Sequence, residues 1–321
     1  MVAVPPLEQV CGHVWMLPLG NPAELMPWTL TYLVLDTDGE VHLVDAGSDG
    51  QENLSTVLSA ARAAAGTGAR LRSITITHLH PDHVGLAARI REETGARIVM
   101  HEAEHEAMLE HAVQAGDLAQ RTAMVTEFGV PADHFDTVLA STQPANWPLV
   151  DPDALIEEGD LLEIPGRRIT VMHTPGHTPG HVCLRDEHAR LLFSGDHVLP
   201  KVNPGVGSGA PRALTEYLDG LARVARFDDH EVLPGHGHRF RGVEARATAI
   251  ARHHVRRLLE VAAVLADAPE AAAWSIASQL SWSAGWERLR PHHRLAALRQ
   301  AVMYAELVRA GEHVGIAETW G

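Results

Sequence analysis

The chain has 321 residues, of which 45% are apolar, enough for one large globular domain or for a domain with an appendage. Lysine and arginine total 26 against 41 aspartates and glutamates, and the resulting net charge of −15 disfavours nucleic acid as a partner. Cys11 and Cys183 are too few for a disulfide framework, and no apolar run approaches the roughly 20 residues that span a membrane. The first residues carry no export signal, so we expect a cytoplasmic protein with no membrane partner.

The first third of the chain alternates strands and helices. Apolar, β-branched runs predict strands at 13–19, 29–36, 41–45, 73–77 and 96–100. Helical periodicity predicts helices over about 51–65 and 83–94.

A ligand cluster stands where the strand 73–77 ends. Three histidines and one carboxylate fall within six residues of the sequence His78-Leu79-His80-Pro81-Asp82-His83. Imidazole and carboxylate are ligands that suit Zn²⁺ or Fe²⁺. The spacing therefore predicts a metal site on the loop between this strand and the helix that follows.

Residues 101–150 interrupt the alternation. An acidic helix is expected from His101, a second helix at about 116–129, and a proline-rich loop at 142–153. An insertion at this point of the chain is suited to form a lid or a wall of the substrate pocket, and simple packing is the alternative.

The remaining strands and the C-terminal helices complete the predicted fold. Strands are expected at 161–164, 168–173, 182–185, 190–194 and 230–233. Two sets of strands with helices between and outside them predict an α+β fold, a four-layer αββα sandwich. We place this sandwich domain at 1–242 and a helical domain at 243–321.

The helical domain has its own pattern. Helices are predicted at 243–268, 273–280 and 291–310, and the tail His313–Ala317 is expected to pair as a small wing. The histidine pairs His253-His254 and His292-His293 are expected on solvated helix faces.

Four motifs together resemble the metallo-β-lactamase-fold hydrolases. They are the His-x-His-x-Asp-His cluster, Thr-Pro-Gly-His177, Ser-Gly-Asp196-His and Leu-Pro-Gly-His236-Gly. The resemblance covers about 13–240. The stretch Gly-Asp-His-Val-Leu-Pro and the C-terminal helices are similar to the branch typified by β-lactamase-like protein 2, which carries a winged-helix-like appendage.

The resemblance implies a binuclear metal centre with seven ligands. One ion would take His78, His80 and His177, the other would take Asp82, His83 and His236, and Asp196 would bridge them. Spacing alone does not choose among His173, His177 and His181, and only the resemblance selects His177. Two divalent ions are expected, zinc by default, with iron or manganese also compatible.

The chemistry implied is hydrolysis by a metal-bridging hydroxide, with Asp82 as the catalytic carboxylate beside it. Asp45 is a candidate to orient a ligand imidazole, with a simple turn cap as the alternative. His197, next to the bridging position, is a candidate to line the pocket. Because ligand imidazoles must be unprotonated, activity should fall below a pH of about 6.5.

The sequence says less about the substrate than about the chemistry, because many different hydrolases share this fold. Our first hypothesis is an acyl bond of a small molecule, such as a thioester, a lactone, an ester or an amide. The alternative is a phosphodiesterase or endoribonuclease, for which the appendage and its arginines would supply a basic stripe: Arg241, Arg246, Arg252, Arg256 and Arg257.

A β-lactamase is a further alternative, disfavoured because no export signal is present. The pocket loops that would decide the substrate are 20–28, 141–150 and 200–212. The sequence fixes no oligomeric state, and a homodimer is only the commonest assembly.

Overall fold

Two β-sheets lie face to face between helices in the computed structural model, which describes residues 4–21, 26–114, 117–142, 148–207, 212–283 and 285–320. The strands are β1 (Glu8–Cys11), β2 (Val14–Gly20), β3 (Trp28–Leu35), β4 (Val41–Val44), β5 (Leu71–Thr75), β6 (Arg97–His101), β7 (Ala154–Ile156), β8 (Ile169–His173), β9 (Val182–Asp186), β10 (Leu191–Gly195) and β11 (Glu231–Pro234). The larger sheet has the order β1 to β7, antiparallel up to β4 and parallel from β4 onwards. The smaller sheet has the order β11-β10-β9-β8, and only β10 and β11 are parallel.

Helices connect the parallel strands and cover both outer faces of the two sheets. The helices are α1 (Gln51–Ala65), α2 (Pro81–Val84), α3 (Ala87–Thr94), α4 (Glu102–Gln114), α5 (Leu118–Glu127), α6 (Ala132–Ser141), α7 (Ala213–Val224), α8 (Val243–Asp267), α9 (Ala273–Gln279), α10 (Pro291–Arg309) and α11 (His313–Trp320). A parallel pair needs such a crossover, and α1 and α3 supply it for β4-β5 and β5-β6. No helix in the described ranges is long and apolar enough to cross a membrane.

Three apolar clusters fill the spaces between four layers. Strand β4 shows how alternation separates two of them, because Leu43 packs toward the helices α1 and α3 while Val44 faces the smaller sheet. On the far side of the smaller sheet, Leu192 packs with Leu221 of α7 and Leu258 of α8. The predicted αββα sandwich is therefore confirmed.

The C-terminal helices share this last cluster with the smaller sheet. Leu298 of α10 and Leu258 of α8 belong to the same continuous core as Cys183 of β9. The boundary placed at 242/243 stays a prediction, and it does not coincide with a gap in the core.

The predicted wing is wrong. Residues His313–Trp320 form helix α11, in which Ile316 and Trp320 lie one turn apart and both pack against the apolar core. The short run of apolar residues that suggested a strand is one face of this helix. The helical part of the winged-helix-like prediction holds, and its strand part does not.

Two further predicted elements differ. The helix expected at 83–94 is broken at Gly85, where the N–H of Leu86 donates to the carbonyl of Gly47 at 3.0 Å. A side chain at Gly85 would also collide with the Pro81 carbonyl, 2.2 Å from an added Cβ. The segment 161–164 is not a strand, because only Leu161 makes a bridge, to Thr170.

Four elements were not predicted: β1, β7, α6 and α7. Of the loop expected at 142–153, residues 143–147 lie outside the described residues; the residues that follow it, 154–156, pair with β6.

Candidate metal centre

The seven side chains predicted as ligands meet at one edge of the sandwich, each on a loop, a turn or the short helix α2 that follows a strand. The cluster at 78–83 follows β5 and enters α2, His177 lies between β8 and β9, Asp196 follows β10, and His236 follows β11. The potential ligand atoms fall into three overlapping groups, each with all atoms within 4.8 Å of one another: His78, His80 and His177; His78, His83 and Asp196; and Asp82, His83 and His236.

The first of these, here called the His80 group (His78, His80 and His177), consists of imidazoles alone. His80 Nδ1 lies 2.9 Å from His78 Nε2 and 3.0 Å from His177 Nε2. Nitrogens bound to one tetrahedral zinc would lie about 3.3 Å apart. Burial, together with the neighbouring imidazole of His177, lowers the pKa of His80 to about 3, so its lone pair is available for a cation at neutral pH.

The His236 group (Asp82, His83 and His236) contains a carboxylate. His236 Nε2 lies 3.1 Å from Asp82 Oδ2, and His83 Nε2 lies 3.8 Å from the same oxygen. Burial lowers the pKa of His83, but the surrounding carboxylates, Asp82 first, outweigh it and raise that pKa to about 9. The same balance, dominated among the carboxylates by Asp196, raises the pKa of His236 to about 11. In the metal-free chain, protons on His83 and His236 therefore balance the negative charge of the carboxylates, and a bound cation would take the place of those protons.

Asp196 lies between the two groups. Its Oδ2 is 3.4 Å from His236 Nε2 and 3.9 Å from His177 Nε2, and its Oδ1 is 3.6 Å from His83 Nε2. Asp196 Oδ1 and His83 Nε2 are buried and have no hydrogen-bond partner. Buried polar atoms are nearly always paired, and a cation would satisfy both. The donor set of imidazole nitrogens and carboxylate oxygens therefore fits divalent ions such as zinc, iron or manganese.

The outer nitrogens of the histidines are held by hydrogen bonds. Asp45, which has a φ of +61°, accepts from His83 Nδ1 at 2.7 Å and from the N–H of Thr77, also at 2.7 Å. His177 Nδ1 donates to the Gly205 carbonyl at 2.6 Å, and His236 Nδ1 donates to the Trp28 carbonyl at 3.0 Å. Such partners orient the ring so that the opposite nitrogen faces the centre. Asp45 thus makes the contacts expected of a residue that orients a ligand imidazole.

The other candidate histidines do not join these groups. His181 donates from Nδ1 to Thr174 Oγ1 at 2.9 Å and accepts from the N–H of Asp196 at 3.1 Å. His173 donates to the Pro179 carbonyl at 2.9 Å. His197, expected to line the pocket, is instead wholly buried, with its ring centroid 4.8 Å from that of Tyr217.

Three polar side chains at the site were not predicted. Asn21 Nδ2 and Thr29 Oγ1 donate to Asp82 Oδ2 at 3.0 and 3.1 Å. Glu104 of α4 is buried and accepts hydrogen bonds from the backbone of two ligand loops. Nothing local marks Glu104 in the sequence, because it stands in a run of acidic residues on the same helix.

The arginines of the expected basic stripe are largely engaged within the chain. Arg241 pairs with Glu231 at 3.2 Å, and buried Arg257 pairs with Glu260 at 2.9 Å. Arg246 donates to the carbonyls of residues 199 and 202. Of the five, Arg241, Arg252 and Arg256 are exposed, Arg246 is partly buried and Arg257 is buried. The stripe that supported the endoribonuclease alternative is therefore not continuous.

A second polar cluster lines a cavity of about 580 Å³ at the edge of β4, β5 and β6. Ser73 Oγ donates to His42 Nδ1 at 2.7 Å, and His42 Nε2 donates to Asp36 Oδ2 at 3.3 Å. Asp36 Oδ1 also accepts the N–H groups of Asp38 and Glu40, which fixes the β3–β4 hairpin. At Ser73, β5 pairs with β4 on one side and with β6 on the other. We therefore interpret the cluster as a structural link between neighbouring strands.

The loops expected to shape the pocket are described only in part. Residues 22–25, 143–147 and 208–211 lie outside the described residues.

Sequence comparisons show which known proteins the chain resembles. Residues 29–236 match the family model of the metallo-beta-lactamase superfamily. Acyl-coenzyme A thioesterase MBLAC2 of Gallus gallus is 31% identical over 221 residues, 62% of this chain and 69% of that protein. The Beta-lactamase-like protein 2 homolog of Caenorhabditis elegans is 26% identical over 302 residues, 92% and 83% of the two chains. Hydroxyacylglutathione hydrolase GloC of Haemophilus influenzae is 25% identical over 209 residues, 64% and 84%.

Solved structures extend the similarity to the C-terminal helices. A beta-lactamase domain protein from Burkholderia ambifaria has a TM-score of 0.76 at 27% identity, covering 95% of this chain and 88% of that one. A metallo-beta-lactamase family protein from Thermus thermophilus has a TM-score of 0.72 at 26% identity, covering 95% of each chain. The likeness therefore includes the helices after residue 242 as well as the sandwich.

Proposed function

The chain belongs to the metallo-β-lactamase superfamily and is a metal-dependent hydrolase, and we propose that it hydrolyses a thioester of a small molecule at a binuclear centre. The observation that carries the binuclear part is the position of Asp196 between the His80 group and the His236 group. The thioester part is supported by the names of two relatives, an acyl-coenzyme A thioesterase and a hydroxyacylglutathione hydrolase, which both describe an acyl group carried on a thiol.

In this proposal the His80 group would hold one ion and the His236 group the other, and Asp196 would be a ligand shared by the two groups. Zinc is the default, and iron or manganese is compatible with the same donors. Bound metal ions supply Lewis acidity, which acidifies a water molecule and polarises the acyl oxygen of the substrate.

Asp82 is the proposed catalytic carboxylate. Asn21 and Thr29 donate to its Oδ2 and fix its orientation. Burial would raise the pKa of Asp82, but the imidazoles of His83 and His236 outweigh it and hold that pKa well below the usual range. Asp82 is therefore ionised at neutral pH and can accept a hydrogen bond from the attacking water.

The test combines metal analysis with a panel of substrates. We expect about two equivalents of metal and turnover of acyl-coenzyme A or S-acyl glutathione, with little turnover of a lactone, a bis-aryl phosphate or a cephalosporin. Turnover of the bis-aryl phosphate alone would contradict the thioester proposal and favour the nuclease alternative.

Replacement of Asp196 tests the binuclear centre. Asp196→Ala should lose most of the metal and reduce turnover more than about 100-fold, beyond the 10–100-fold typical of groups that only orient ligands. Asp219→Ala, an exposed aspartate on α7, is the matched control. An Asp196→Ala protein with full metal content and activity would contradict the assignment.

A further inference from the structure

A buried carboxylate lies outside the proposed ligands, on helix α4. Glu104 has no exposed surface, although charged side chains are almost never fully buried unless they are paired. Its Oε1 accepts the N–H of Leu79 at 2.6 Å, and its Oε2 accepts the N–H of Gly180, also at 2.6 Å. Leu79 stands between His78 and His80, and Gly180 lies three residues after His177. One side chain thus contacts both loops of the His80 group.

We propose that Glu104 is a positioning residue that sets the separation of the two loops carrying the His80 group. This inference rests on the binuclear centre proposed above. The two loops follow β5 of the larger sheet and β8 of the smaller sheet, so they belong to different layers of the sandwich. The two hydrogen bonds of Glu104 join these layers at the point where the three ligand nitrogens must converge.

The close approach of α4 to the second loop depends on a glycine. A Cβ added at Gly180 would lie 2.3 Å from the backbone nitrogen of Glu104 and 2.8 Å from its Cα. Any larger residue would push the helix away and lengthen the hydrogen bond to Glu104 Oε2. Gly180 and Glu104 therefore depend on the same close contact, which explains the Gly before His181 in the second Thr-Pro-Gly-His sequence, residues 178–181.

The His236 group is oriented by different partners. Asp45 accepts from His83, and the Trp28 carbonyl accepts from His236. Glu104 contacts neither of these histidines in the hydrogen bonds of the described residues. Loss of the Glu104 carboxylate should therefore weaken one metal position and spare the other.

The experiment measures zinc binding to metal-free protein in competition with a chromophoric chelator, so it does not depend on enzyme activity. In Glu104→Gln the side-chain oxygen can accept one N–H, and the amide NH₂ faces the other N–H and cannot accept from it. We expect affinity at one of the two sites to fall about 10–100-fold while the other changes less than about threefold. Glu106→Gln, exposed on the same helix, is the control, and Asp45→Asn should weaken the other site.

Amide hydrogen exchange in the metal-free protein gives a second readout. The N–H groups of Leu79 and Gly180 should exchange faster in Glu104→Gln than in the wild type, with exchange in β2 and β3 unchanged. Equal losses at both zinc sites, or unchanged binding with unchanged exchange, would overturn the proposal. A wild-type protein that binds none of zinc, iron and manganese would instead overturn the binuclear centre, and the exchange measurement would still decide the role of Glu104.

Discussion

Glycines determine how closely the ligand side chains approach one another. Gly235 stands immediately before His236, and a Cβ added there would lie 2.4 Å from Asp196 Oδ1 and 2.6 Å from His83 Cε1. Neither contact is sterically possible, and both partners belong to the proposed centre. The glycine of Leu-Pro-Gly-His is thus required by its neighbours and not by its own φ angle.

Gly235→Ala should therefore disturb the centre while leaving the fold in place. The added methyl group must displace Asp196 or His83, and we expect zinc affinity to fall more than about tenfold, as when an orienting contact is lost. The measurement is zinc titration together with circular dichroism. Gly12→Ala, where an added Cβ meets nothing within 4 Å, is the control. Wild-type zinc binding in Gly235→Ala would show that this part of the site is more open than the distances indicate.

Single residues also show what the sequence could and could not predict. The side chains of the dense motif and of the three downstream motifs meet in space, because each motif ends a strand and strand ends share one edge of the sandwich. Glu104, Asn21 and Thr29 reach the site only through tertiary packing. No local spacing relates Glu104 to Leu79 or Gly180, so sequence reasoning had no means of finding it.

Among the helices and strands, too, some were predicted from the sequence and others were not. The helix at 51–65 and the strands around the ligand motifs were predicted within about two residues, because periodicity and caps are local. Helix α7 was missed although Leu214, Leu218 and Leu221 have helical spacing and are buried. The tail after Gly311 was predicted wrongly, because a short apolar run fits a strand or a helix until its packing partner is known.

Helix α8 contacts the loop that follows Asp196. Arg246 Nε donates to the Leu199 carbonyl at 2.6 Å, and its guanidinium also donates to the Val202 carbonyl at 2.6 Å and to Asn203 Oδ1 at 2.9 Å. The same loop continues to Gly205, whose carbonyl accepts from His177. A residue of the C-terminal helices thus stabilises the chain segment that orients a proposed ligand.

Arg246→Met should release this loop, because methionine keeps much of the apolar length and none of the donors. We expect the free energy of unfolding to fall by at least about 1.5–3 kcal/mol, the usual contribution of one hydrogen bond to a charged group, and zinc affinity to fall several-fold. Urea unfolding and zinc titration measure the two effects. Arg252→Met, exposed on the same helix, is the control. Unchanged stability would mean that the loop holds its conformation without α8.

At the scale of the whole molecule, many histidines lie in the core and are held neutral. Among those outside the proposed ligand set, the pKa is lowered to about 4 for His101, about 3 for His197 and about 3 for His254, in each case first by burial. His254 was expected on a solvated face and is instead buried between α8 and α10, where its Nδ1 lies 2.7 Å from Tyr304 Oη. In the unfolded chain these rings would take up a proton near pH 6.5, whereas in the folded chain they stay neutral down to a lower pH.

This difference sets the direction of the pH dependence. Because the folded pKa lies below the unfolded value, each such histidine contributes stability that is present above pH 6.5 and is lost as the pH falls toward the folded pKa. The unfolded state then binds more protons than the folded state, so the free energy of unfolding decreases on acidification. Below about pH 6, each histidine of this kind lowers the free energy of unfolding by up to about 1.4 kcal/mol for every pH unit of acidification.

His254→Asn isolates one of these rings at a distance from the proposed ligands. Asparagine keeps an acceptor near the position of Nδ1 for the Tyr304 hydroxyl, but it does not titrate. The variant should be less stable than the wild type at pH 7, because it leaves a cavity, and the difference should narrow by about 1 kcal/mol for each pH unit between 6 and 4.5. Urea unfolding of the metal-free proteins across this range measures it, with His188→Asn on the exposed β9–β10 turn as the control. A stability difference that stays constant from pH 7 to 4.5 would mean that the buried ring is protonated in the folded chain, and the acid sensitivity would then have to come from other groups.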